Sequence, residues 1–526
     1  MPLAQRGTAA FGRMLRWLLL LFVADTNAFS TLPPPTSKIP NPCYPPGAPV
    51  GNQIYKGYTS ANCEYDNGSP KNLPFDEVAT GNFSQCLMLA KQAWLLSLSR
   101  VSLVVDLSFV CLQQSCEVGI SGGYHAARPS AFYTGSLKYL EPFYSATKHG
   151  GWTGTVKDAK EELEKTGHQE CSKTSHRRLD SSVFEELAEL DDFKAMQSGA
   201  AGTDPVPPSP GYAFLNCWAT AYFTVLLDTW LGDETTIVVF DDYVKNTSVE
   251  WRDAAMAGRV DNGAAGSPAV VVDCGSSGSR PTIFNTTAGA WPIAIDVDDA
   301  ILSKKTPGIS TQATTCNRTL KACYEDYFKD MIPQLKSELP KLFPGSDVYD
   351  VPIYLLATAT GVAGMRLKND TEDEQIWDAV KAVWADNGMR LKEAMTIPGD
   401  TEGIYGWQAL NYALSSGAND TAGWIDIGGA STQITYVATH PRVLEHGYPN
   451  TPLNPSAIPA KPMKQLFSRS YMRHGQDQAR WMMHLMLKAA DPFGAGQSGG
   501  VTGGSDRGVA RKNPHIHIVG GVALPP

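Results

Sequence analysis

The sequence predicts an α/β fold, because strand-like and helix-like segments alternate along most of the chain. Short apolar runs typical of buried strands lie at 236–240, 269–272, 351–357, 424–427 and 434–437. Helical patterns lie at 324–338, 374–395, 405–414 and 477–489. This alternation predicts sheets flanked by helices. With 526 residues, the chain is long enough to build two or more domains around large cores.

The composition is that of an ordinary globular protein and argues against nucleic acid as a partner. Hydrophobic residues make up 43% of the chain and charged residues 18%, and the 36 prolines point to long loops. The formal net charge is −9, and no run of Lys or Arg offsets it. An anionic small ligand would therefore have to be held by local hydrogen-bond donors and a metal ion.

The N-terminus has the pattern of a secretory signal peptide. Three arginines precede an apolar run at 17–24, and the small-residue site Thr-Asn-Ala follows at 26–28. We therefore expect a signal peptide at 1–28 and a mature chain that is secreted or lies in the lumen of the secretory pathway. An uncleaved membrane anchor is the alternative, although the run is short for a span of about 20 residues. No span is expected after cleavage.

Glycosylation and cysteine patterns agree with that compartment. Seven N-x-S/T sequons occur, at Asn67, Asn82, Asn246, Asn285, Asn317, Asn369 and Asn419. Ten cysteines fit a disulfide-bearing ectodomain, although their spacing does not set the pairing. No cysteine spacing combines with histidine in a zinc-binding pattern. Cys274 lies inside a glycine-rich turn and is a candidate unpaired thiol.

Two turns of the same design are the main functional signal. They read VDCGSSGSR at 272–280 and IDIGGASTQ at 425–433, each an apolar run, an Asp, and a turn of glycine and hydroxyl residues. Glycine lets the backbone approach a phosphate, and successive N–H groups and serine hydroxyls supply donors. The Asp can position a divalent metal ion through water. The pair predicts two phosphate-binding hairpins that face each other across a cleft and bind a nucleotide polyphosphate.

Two further segments make this prediction more specific. They read ATATGVAGMRL at 357–367 and TEGIYGWQALNY at 401–412. In this order the four segments resemble the first four signature regions of the apyrase family, the ecto-nucleoside triphosphate diphosphohydrolases. The family patterns are D-A-G-S-S-x-T-R, A-T-A-G-M-R, D-E-G-x-Y-G-W and D-L-G-G-A-S-T-Q. The resemblance implies two actin-like (ribonuclease H-like) lobes with an interlobe nucleotide cleft.

The resemblance also implies a metal-dependent hydrolase that removes the terminal phosphate from nucleoside tri- and diphosphates. Glu402 is the expected general base and Gln433 is expected to help orient the water, while Asp273 and Asp426 hold Ca²⁺ or Mg²⁺ through water. The expected phosphate-binding residues are Gly275, Ser276, Ser277, Gly428, Gly429, Ala430 and Ser431. The alternatives are a helix-capping role for Glu402 and plain turn formation for the two Asp residues.

The roles of four other residues are open at this point. Arg280 and Arg366 either neutralise phosphate or brace its loops. Tyr139 and Tyr222 are the candidates for stacking on the nucleotide base, with core packing as the alternative for each.

The second signature segment departs from the family pattern in one of two ways. If 361–366 is the aligned segment, Val replaces the family's Thr. If Thr358 takes that place instead, residues 360–363 are looped out. Either change is expected to reduce activity.

The order of the segments also differs from that of the family, in which a Cys-rich half follows the four motifs. Here the first motif begins only at residue 272, and segments resembling that second half come first, at 41–47, 81–86, 217–227 and 246–251. The chain therefore reads as second half, linker 258–268, first half. Circular permutation explains this, because domain termini often lie close together. A piece of a tandem array or a faulty gene model are the alternatives.

By this resemblance, 240–398 form lobe I with the first and second motifs. Residues 29–239 and 399–526 form lobe II with the Cys-rich segments and the third and fourth motifs. The altered order and the altered second motif also leave a competing function open. It is a catalytically impaired repeat, or a non-catalytic nucleotide-binding module of a larger lumenal polypeptide. The oligomeric state is unknown.

Overall fold

The computed structural model describes residues 39–48, 77–101, 129, 131–134, 143, 151–173, 216–231, 233–241, 243–244, 247–259, 266–275, 278–287, 290–295, 297, 301–302, 308–358, 365–416, 421–428, 431–438, 465–472, 474–475, 479–480 and 483. The predicted signal peptide at 1–28 lies outside them. Within these ranges, no helix is both long and apolar enough to cross a membrane.

The described residues form strands and helices that alternate along the chain. The strands are β1 (Ile39–Asn41), β2 (Glu77–Ala79), β3 (Phe132–Thr134), β4 (Trp152–Thr155), β5 (Ile237–Phe240), β6 (Tyr243–Val244), β7 (Thr247–Ser248), β8 (Ser267–Gly275), β9 (Gly278–Thr286), β10 (Ile293–Ile295), β11 (Ile353–Ala357), β12 (Leu391–Thr396), β13 (Gly423–Ile427), β14 (Ser431–Ala438) and β15 (Gln465–Met472). The helices are α1 (Phe83–Val101), α2 (Val156–Ser172), α3 (Asn216–Trp230), α4 (Trp251–Ala257), α5 (Ile309–Thr315), α6 (Leu320–Phe328), α7 (Met331–Leu342), α8 (Asp370–Asp386) and α9 (Gly399–Leu414). A short 3₁₀ helix covers Met365–Leu367.

Two large mixed sheets repeat one strand order. The five-stranded sheet runs β10-β9-β8-β11-β12, in which β10, β9 and β8 are antiparallel neighbours and β11 lies parallel to both β8 and β12. The six-stranded sheet runs β15-β14-β13-β3-β5-β4, again with three antiparallel strands followed by two parallel ones, and β4 closes its edge. The α/β class predicted from the sequence is thus confirmed, with two mixed sheets of matching strand order.

The two sheets differ in where their strands lie along the chain. The five-stranded sheet uses consecutive strands from the middle of the sequence, β8 to β12. The six-stranded sheet combines β3, β4 and β5, which precede that region, with β13, β14 and β15, which follow it. In particular, β3 pairs with β13 through Tyr133 and Trp424. Early and late segments therefore share one sheet.

Each sheet buries one face against its own helices. The five-stranded sheet packs Val270 and Val272 against α6, α7 and α8, with Trp384 at 0% exposure in that core. The six-stranded sheet packs Ile425 and Ile434 into a second core that includes α1, α2 and α3. The disulfides Cys43–Cys86 and Cys171–Cys217 lie within this second core, and Cys316–Cys323 links α5 to α6.

The opposite faces of the sheets carry α4 and α9. Trp251 and Ala255 of α4 pack in one cluster with Val271 of the five-stranded sheet. Ala254 of α4 packs in another cluster with Leu410 of α9. Side chains alternate along a strand, so residues two apart point to the same face. Asp273 and Asp426 stand two residues after Val271 and Trp424, and therefore point to these faces.

Two helix predictions were wrong at their ends. The predicted helix 324–338 is two helices, because α6 ends at Phe328 and α7 begins at Met331. The predicted helix 374–395 stops at Asp386, where Gly388 adopts a left-handed φ of 72°, and Leu391–Thr396 forms strand β12. The apolar residues after Gly388 fit the period of a helix as well as that of a strand. Pairing with β11 decides that this segment is a strand. The predicted helix 405–414 begins earlier, at Gly399.

Candidate active site

The two predicted hairpins have matching geometry. Strands β8 and β9 pair Asp273 with Arg280 and close toward Gly275 and Gly278. Strands β13 and β14 pair Asp426 with Gln433, and the Gly428 N–H donates to the Ser431 carbonyl at 3.0 Å. In each hairpin the Asp stands two residues before the glycine that opens the turn. The other predicted phosphate-binding residues, Ser276, Ser277, Gly429 and Ala430, lie outside the described residues.

Strand alternation also explains the position of Cys274, next to the first Asp. Its side chain points to the opposite face of β8, into the core that contains Tyr324 and Tyr327, and it is fully buried. It is the free cysteine of the described residues. Burial raises the pKa of its thiol to about 12, and the charge of Asp273 adds to that effect. The thiol is therefore protonated at neutral pH and is part of the core.

Glu402 lies in the first turn of α9 and is 7% exposed. Its Oε2 atom accepts a hydrogen bond from Arg366 Nη2 at 2.8 Å and another from Gln433 Nε2 at 2.8 Å. Among the described residues no hydrogen bond reaches Oε1. Burial raises the pKa of Glu402, the charge and hydrogen bond of Arg366 oppose that shift, and the charge of Asp273 adds to it. The arrangement leaves one carboxylate oxygen available to accept a proton.

Gln433 connects Glu402 to the second hairpin. Its Nε2 atom lies 2.8 Å from Glu402 Oε2, 2.8 Å from Ser431 Oγ and 3.1 Å from Ser470 Oγ. An amide nitrogen has two protons, so these three acceptors share them. Since the Ser431 hydroxyl is an acceptor here, its own proton points elsewhere, and no described residue receives it. That proton is available to a phosphate oxygen or a water.

The glycines of the TEGIYGW segment explain how Glu402 is held. A side chain on Gly403 would collide with Thr435 and Ser468 of the six-stranded sheet. A side chain on Gly406 would collide with the Trp424 indole. Helix α9 therefore lies directly on the sheet, and Trp407, 1% exposed, anchors it in a buried cluster. This docking sets the height of Glu402 above the ladder that holds Asp426 and Gln433.

The charges of three other carboxylates act on Asp426 at this point. Burial raises the pKa of Asp426 well above its ordinary value, and the charges of Glu402, Glu250 and Asp273 raise it further against Arg366. Carboxylate oxygens are the ligands that Ca²⁺ and Mg²⁺ prefer, and a divalent cation would relieve this repulsion. In the part of the chain that the structure describes, no three such side chains lie close enough to bind one ion directly. The acidic residues Asp273 and Asp426 fit a divalent ion bound through water, as predicted from the sequence, and this stays a prediction.

The second signature segment has both of its ends beside the site. Strand β11 ends at Ala357, opposite Cys274, and the Thr358 N–H donates to the Cys274 carbonyl at 3.3 Å. Thr358 is 6% exposed. Residues 359–364 lie outside the described residues, and Arg366 follows them in position to bind Glu402. This geometry favours the alignment that uses Thr358 and loops out the residues after it.

The structure does not support Tyr222 as a base-stacking residue. It is fully buried, stacked on Trp218 at 5.7 Å between ring centroids, and its hydroxyl donates to the His474 carbonyl. Burial raises the pKa of this phenol. A ring with covered faces cannot receive a base, so the core-packing alternative is the better one. Tyr139, the other candidate, lies outside the described residues.

Two residues of the site were missed by the sequence analysis. Ser470 on β15 pairs with Gln433 in register and accepts its hydrogen bond. Glu250, before α4, lies close enough to Asp426 to affect its pKa. Glu250 lies in the resembling segment 246–251, but no pattern gave either residue a role at the site, because only sheet register and the packing of α4 bring them there.

Comparison with known proteins gives a partial match. Residues 265–492 match the model of the GDA1/CD39 (nucleoside phosphatase) family. Ectonucleoside triphosphate diphosphohydrolase 3 of Mus musculus is 28% identical over 246 residues, covering 41% of this chain and 41% of that protein. Probable apyrase 3 of Arabidopsis thaliana is 30% identical over 218 residues, covering 40% of this chain and 41% of that protein.

One solved structure, described as nucleoside triphosphate hydrolases from Neospora caninum, is 18% identical with a TM-score of 0.28, and the match covers 40% of this chain and 45% of that chain. The chain spans about two fifths of the length of the two curated relatives named above.

Proposed function

We propose that this chain hydrolyses nucleoside tri- and diphosphates. The premise is that residues 265–492 match the GDA1/CD39 (nucleoside phosphatase) family. The reaction removes the terminal phosphate and depends on Ca²⁺ or Mg²⁺. The observation that carries the proposal is the arrangement around Glu402. Arg366 and Gln433 both donate to its Oε2 atom, and Gln433 pairs with Asp426 across the second hairpin.

In the proposed reaction Glu402 acts as the general base. A water oxygen forms a bond to the terminal phosphorus while the phosphoanhydride P–O bond breaks. The water proton goes to Glu402, and inorganic phosphate and the shortened nucleotide leave. Gln433 and Ser431 orient the water or the transferred group through hydrogen bonds, so the protein contributes mainly positioning.

The two hairpins are proposed to hold the phosphates. Gly275 and Gly428 let the backbone approach the phosphates, and Ser431 donates its hydroxyl proton to them. The sequence assigns the remaining turn positions to Ser276, Ser277, Gly429 and Ala430. Asp273 and Asp426 would hold the cation through water, and the cation supplies charge neutralisation for the polyphosphate. Removing the cation would leave two carboxylates facing an anionic substrate.

We also propose the domain assignment made from the sequence. Residues 29–239 and 399–526 form one lobe and 240–398 form the other. The linker 258–268, inside 240–398, joins the two halves of the family sequence in circularly permuted order. The support is the six-stranded sheet, in which β3 and β5 from the early part of the chain extend the sheet beside β13. Secretion, or residence in the secretory-pathway lumen, is supported by the leader pattern and by three disulfides among the described residues.

The non-catalytic alternative is not favoured. Gln433 binds both Glu402 and Ser431 and pairs with Asp426 in register, which supports a working site. The departure in the second motif leaves Thr358 beside the first hairpin. A degenerate repeat would be under no constraint to keep these residues together.

Phosphate release by the purified mature chain tests the proposed function. ATP, ADP and AMP are each incubated with Ca²⁺ or Mg²⁺, and with excess EDTA. We expect release from ATP and ADP, little from AMP, and none in EDTA. Glu402→Gln should lower kcat by about 10²-fold or more, the usual contribution of a general base.

Glu393→Gln is the matched control for that variant. Its carboxylate also pairs with an arginine, Arg259, but on β12 and away from the hairpins. Undiminished phosphate release in EDTA would show that the reaction does not depend on a divalent metal ion. A Glu402→Gln variant that keeps more than half of the wild-type turnover would show that Glu402 is not the base.

A further inference from the structure

We propose that Arg366 is a positioning residue for the general base, which it ties to the five-stranded sheet while the rest of α9 rests on the six-stranded sheet. This inference rests on the proposed function. The sequence left two roles open for Arg366, phosphate neutralisation and bracing of its loop, and the inference is a more specific form of the second. Arg366 neither binds phosphate nor merely braces its own loop. It selects the carboxylate oxygen of Glu402 that receives the proton.

The first observation is the geometry of the guanidinium. Arg366 lies in the short 3₁₀ helix that follows β11, and its Nε atom donates to the Ile397 carbonyl at 2.7 Å. Its Nη2 atom donates to Glu402 Oε2 at 2.8 Å. Two N–H groups of one rigid plane thus have fixed partners, which sets the orientation of the whole group.

The second observation is burial. The side chains of Arg366 and Glu402 are each 9% exposed, so water screens their attraction little. A buried carboxylate without such a partner would take up a proton. Burial raises the pKa of Glu402, and Arg366 is the cation that opposes this, while Asp273 and Asp426 repel its charge. Arg366 therefore keeps the base ionised as well as oriented.

The third observation is that the pair joins two structural units. Arg366 lies after β11 and donates to the carbonyl of Ile397, which lies after β12. Strands β11 and β12 both belong to the five-stranded sheet. Glu402 belongs to α9, which lies on the six-stranded sheet through Gly403 and Gly406. The ion pair thus sets the distance between the base and the first hairpin. Gln433 sets its distance from the second hairpin, and both donors act on the same oxygen.

A direct phosphate contact is the competing role for Arg366, and it predicts different kinetics. The Nη1 atom of Arg366 is buried and has no hydrogen-bond partner among the described residues. It lies on the side of Gly399, 3.0 Å from where a Cβ of that residue would stand. If Nη1 bound phosphate, loss of the guanidinium would weaken substrate binding. If the arginine positions Glu402, substrate binding should persist and turnover should fall.

The experiment compares Arg366→Met and Arg366→Lys with the unsubstituted chain. We expect Arg366→Met to lower kcat by about 10²-fold, the effect of a displacement of about 1 Å at a reacting group. KM for ATP and ADP should change by less than about threefold, and the acidic limb of the kcat–pH profile should move to higher pH, because the base loses its cation. Arg366→Lys should recover the pH profile but only part of kcat, since one ammonium nitrogen cannot reproduce the fixed spacing of the Nε and Nη2 donors.

Arg259→Met is the matched control. Arg259 also pairs with a glutamate and donates to Tyr405 of α9, but it does not contact Glu402. It should lower stability without moving the kcat–pH profile. The double variant Arg366→Met/Glu402→Gln should lose no more kcat than Glu402→Gln alone, because a positioning residue acts only through the group it positions.

Two results would overturn the proposal. One is a rise in KM by 10-fold or more with kcat retained, which would assign Arg366 to the phosphate. The other is an additive loss in the double variant with an unmoved pH profile. Failure of the proposed function is a separate result, namely a wild-type chain that releases no phosphate. A double-mutant cycle in thermal unfolding still measures the Arg366–Glu402 coupling in that case, and zero coupling would show that the ion pair does not form.

Discussion

Gly406→Ala tests whether the contact between α9 and the six-stranded sheet sets the position of Glu402, the proposed general base. A Cβ at this position would lie 2.7 Å from Cδ1 of Trp424 and closer still to Nε1. Trp424 is 7% exposed, and its strand β13 is paired on both sides, so the indole has little room to move. Carbon atoms in contact stand about 3.5–4.0 Å apart. The helix must therefore move away from the sheet by about 1 Å.

The magnitude follows from the position of Glu402 on the same helix. Residues 402 and 406 are four apart and share one face, so both move when the helix is pushed outward. An outward move of about 1 Å stretches the 2.8 Å hydrogen bond from Gln433 Nε2 beyond its normal range. We expect kcat to fall by about 10²-fold with little change in KM. Overpacking costs about 1–3 kcal/mol, offset by about 1 kcal/mol because alanine favours a helix more than glycine does.

The assay measures kcat and KM for ATP hydrolysis together with thermal unfolding. Gly345→Ala is the control, because Gly345 has a φ of 90° and no atom lies within 4 Å of a Cβ built on it. Alanine there costs about 1–2 kcal/mol of backbone strain and should leave kcat unchanged. A Gly406→Ala protein with wild-type kcat and an equal or higher unfolding temperature would refute the reasoning, because it would show that α9 does not depend on this close approach.

Two further predictions concern the rest of the molecule. A fragment beginning at Gly266 lacks β3, which covers one edge of β13; it should aggregate and lack ATP hydrolysis although it keeps all four motifs. A soluble, active 266–526 fragment with cooperative unfolding would contradict the permuted lobe. Burial and the charge of Glu250 raise the pKa of Asp253 to about 7. The pKa in the unfolded chain is about 3.9. The folded state therefore loses stability as the pH rises from about 3.9 to about 7. Asp253→Asn should therefore raise the unfolding temperature more at pH 8 than at pH 5, and an equal effect at both would argue against a buried carboxyl.

Some parts of the structure followed directly from local sequence. The strands at 269–272, 424–427 and 434–437 were predicted because apolar runs bounded by turn residues have few alternatives. The helix bounds at 324–338 and 374–395 were wrong because a local apolar period does not say which neighbour a segment will meet. The segment after Gly388 became β12 only because the edge of β11 was available for pairing.

The candidate site divides in the same way. Asp273 and Asp426 were singled out from the paired Asp-Gly turns, and Glu402 and Gln433 from the resemblance to the apyrase signature regions. The structure brings these residues close to one another. Tyr222 was chosen from its place in a resembling segment, but α3 turns it into the core, where burial excludes a ligand. Ser470 was not singled out as a site residue, because it reaches Gln433 only through the register of β14 and β15.

The sequence by itself pointed to the proposed chemistry, because paired Asp-Gly turns, a glutamate before Gly-Ile-Tyr-Gly-Trp and a fourth-motif glutamine are local patterns. Only the tertiary structure decided how these groups act together. Strand alternation turns Asp273 toward the site and Cys274 into the core. Sheet pairing joins β3 to β13 across more than half the chain. The ion pair between Arg366 and Glu402 joins the 3₁₀ helix after β11 to α9. No local pattern can specify such a contact, because it depends on how distant parts of the chain pack together.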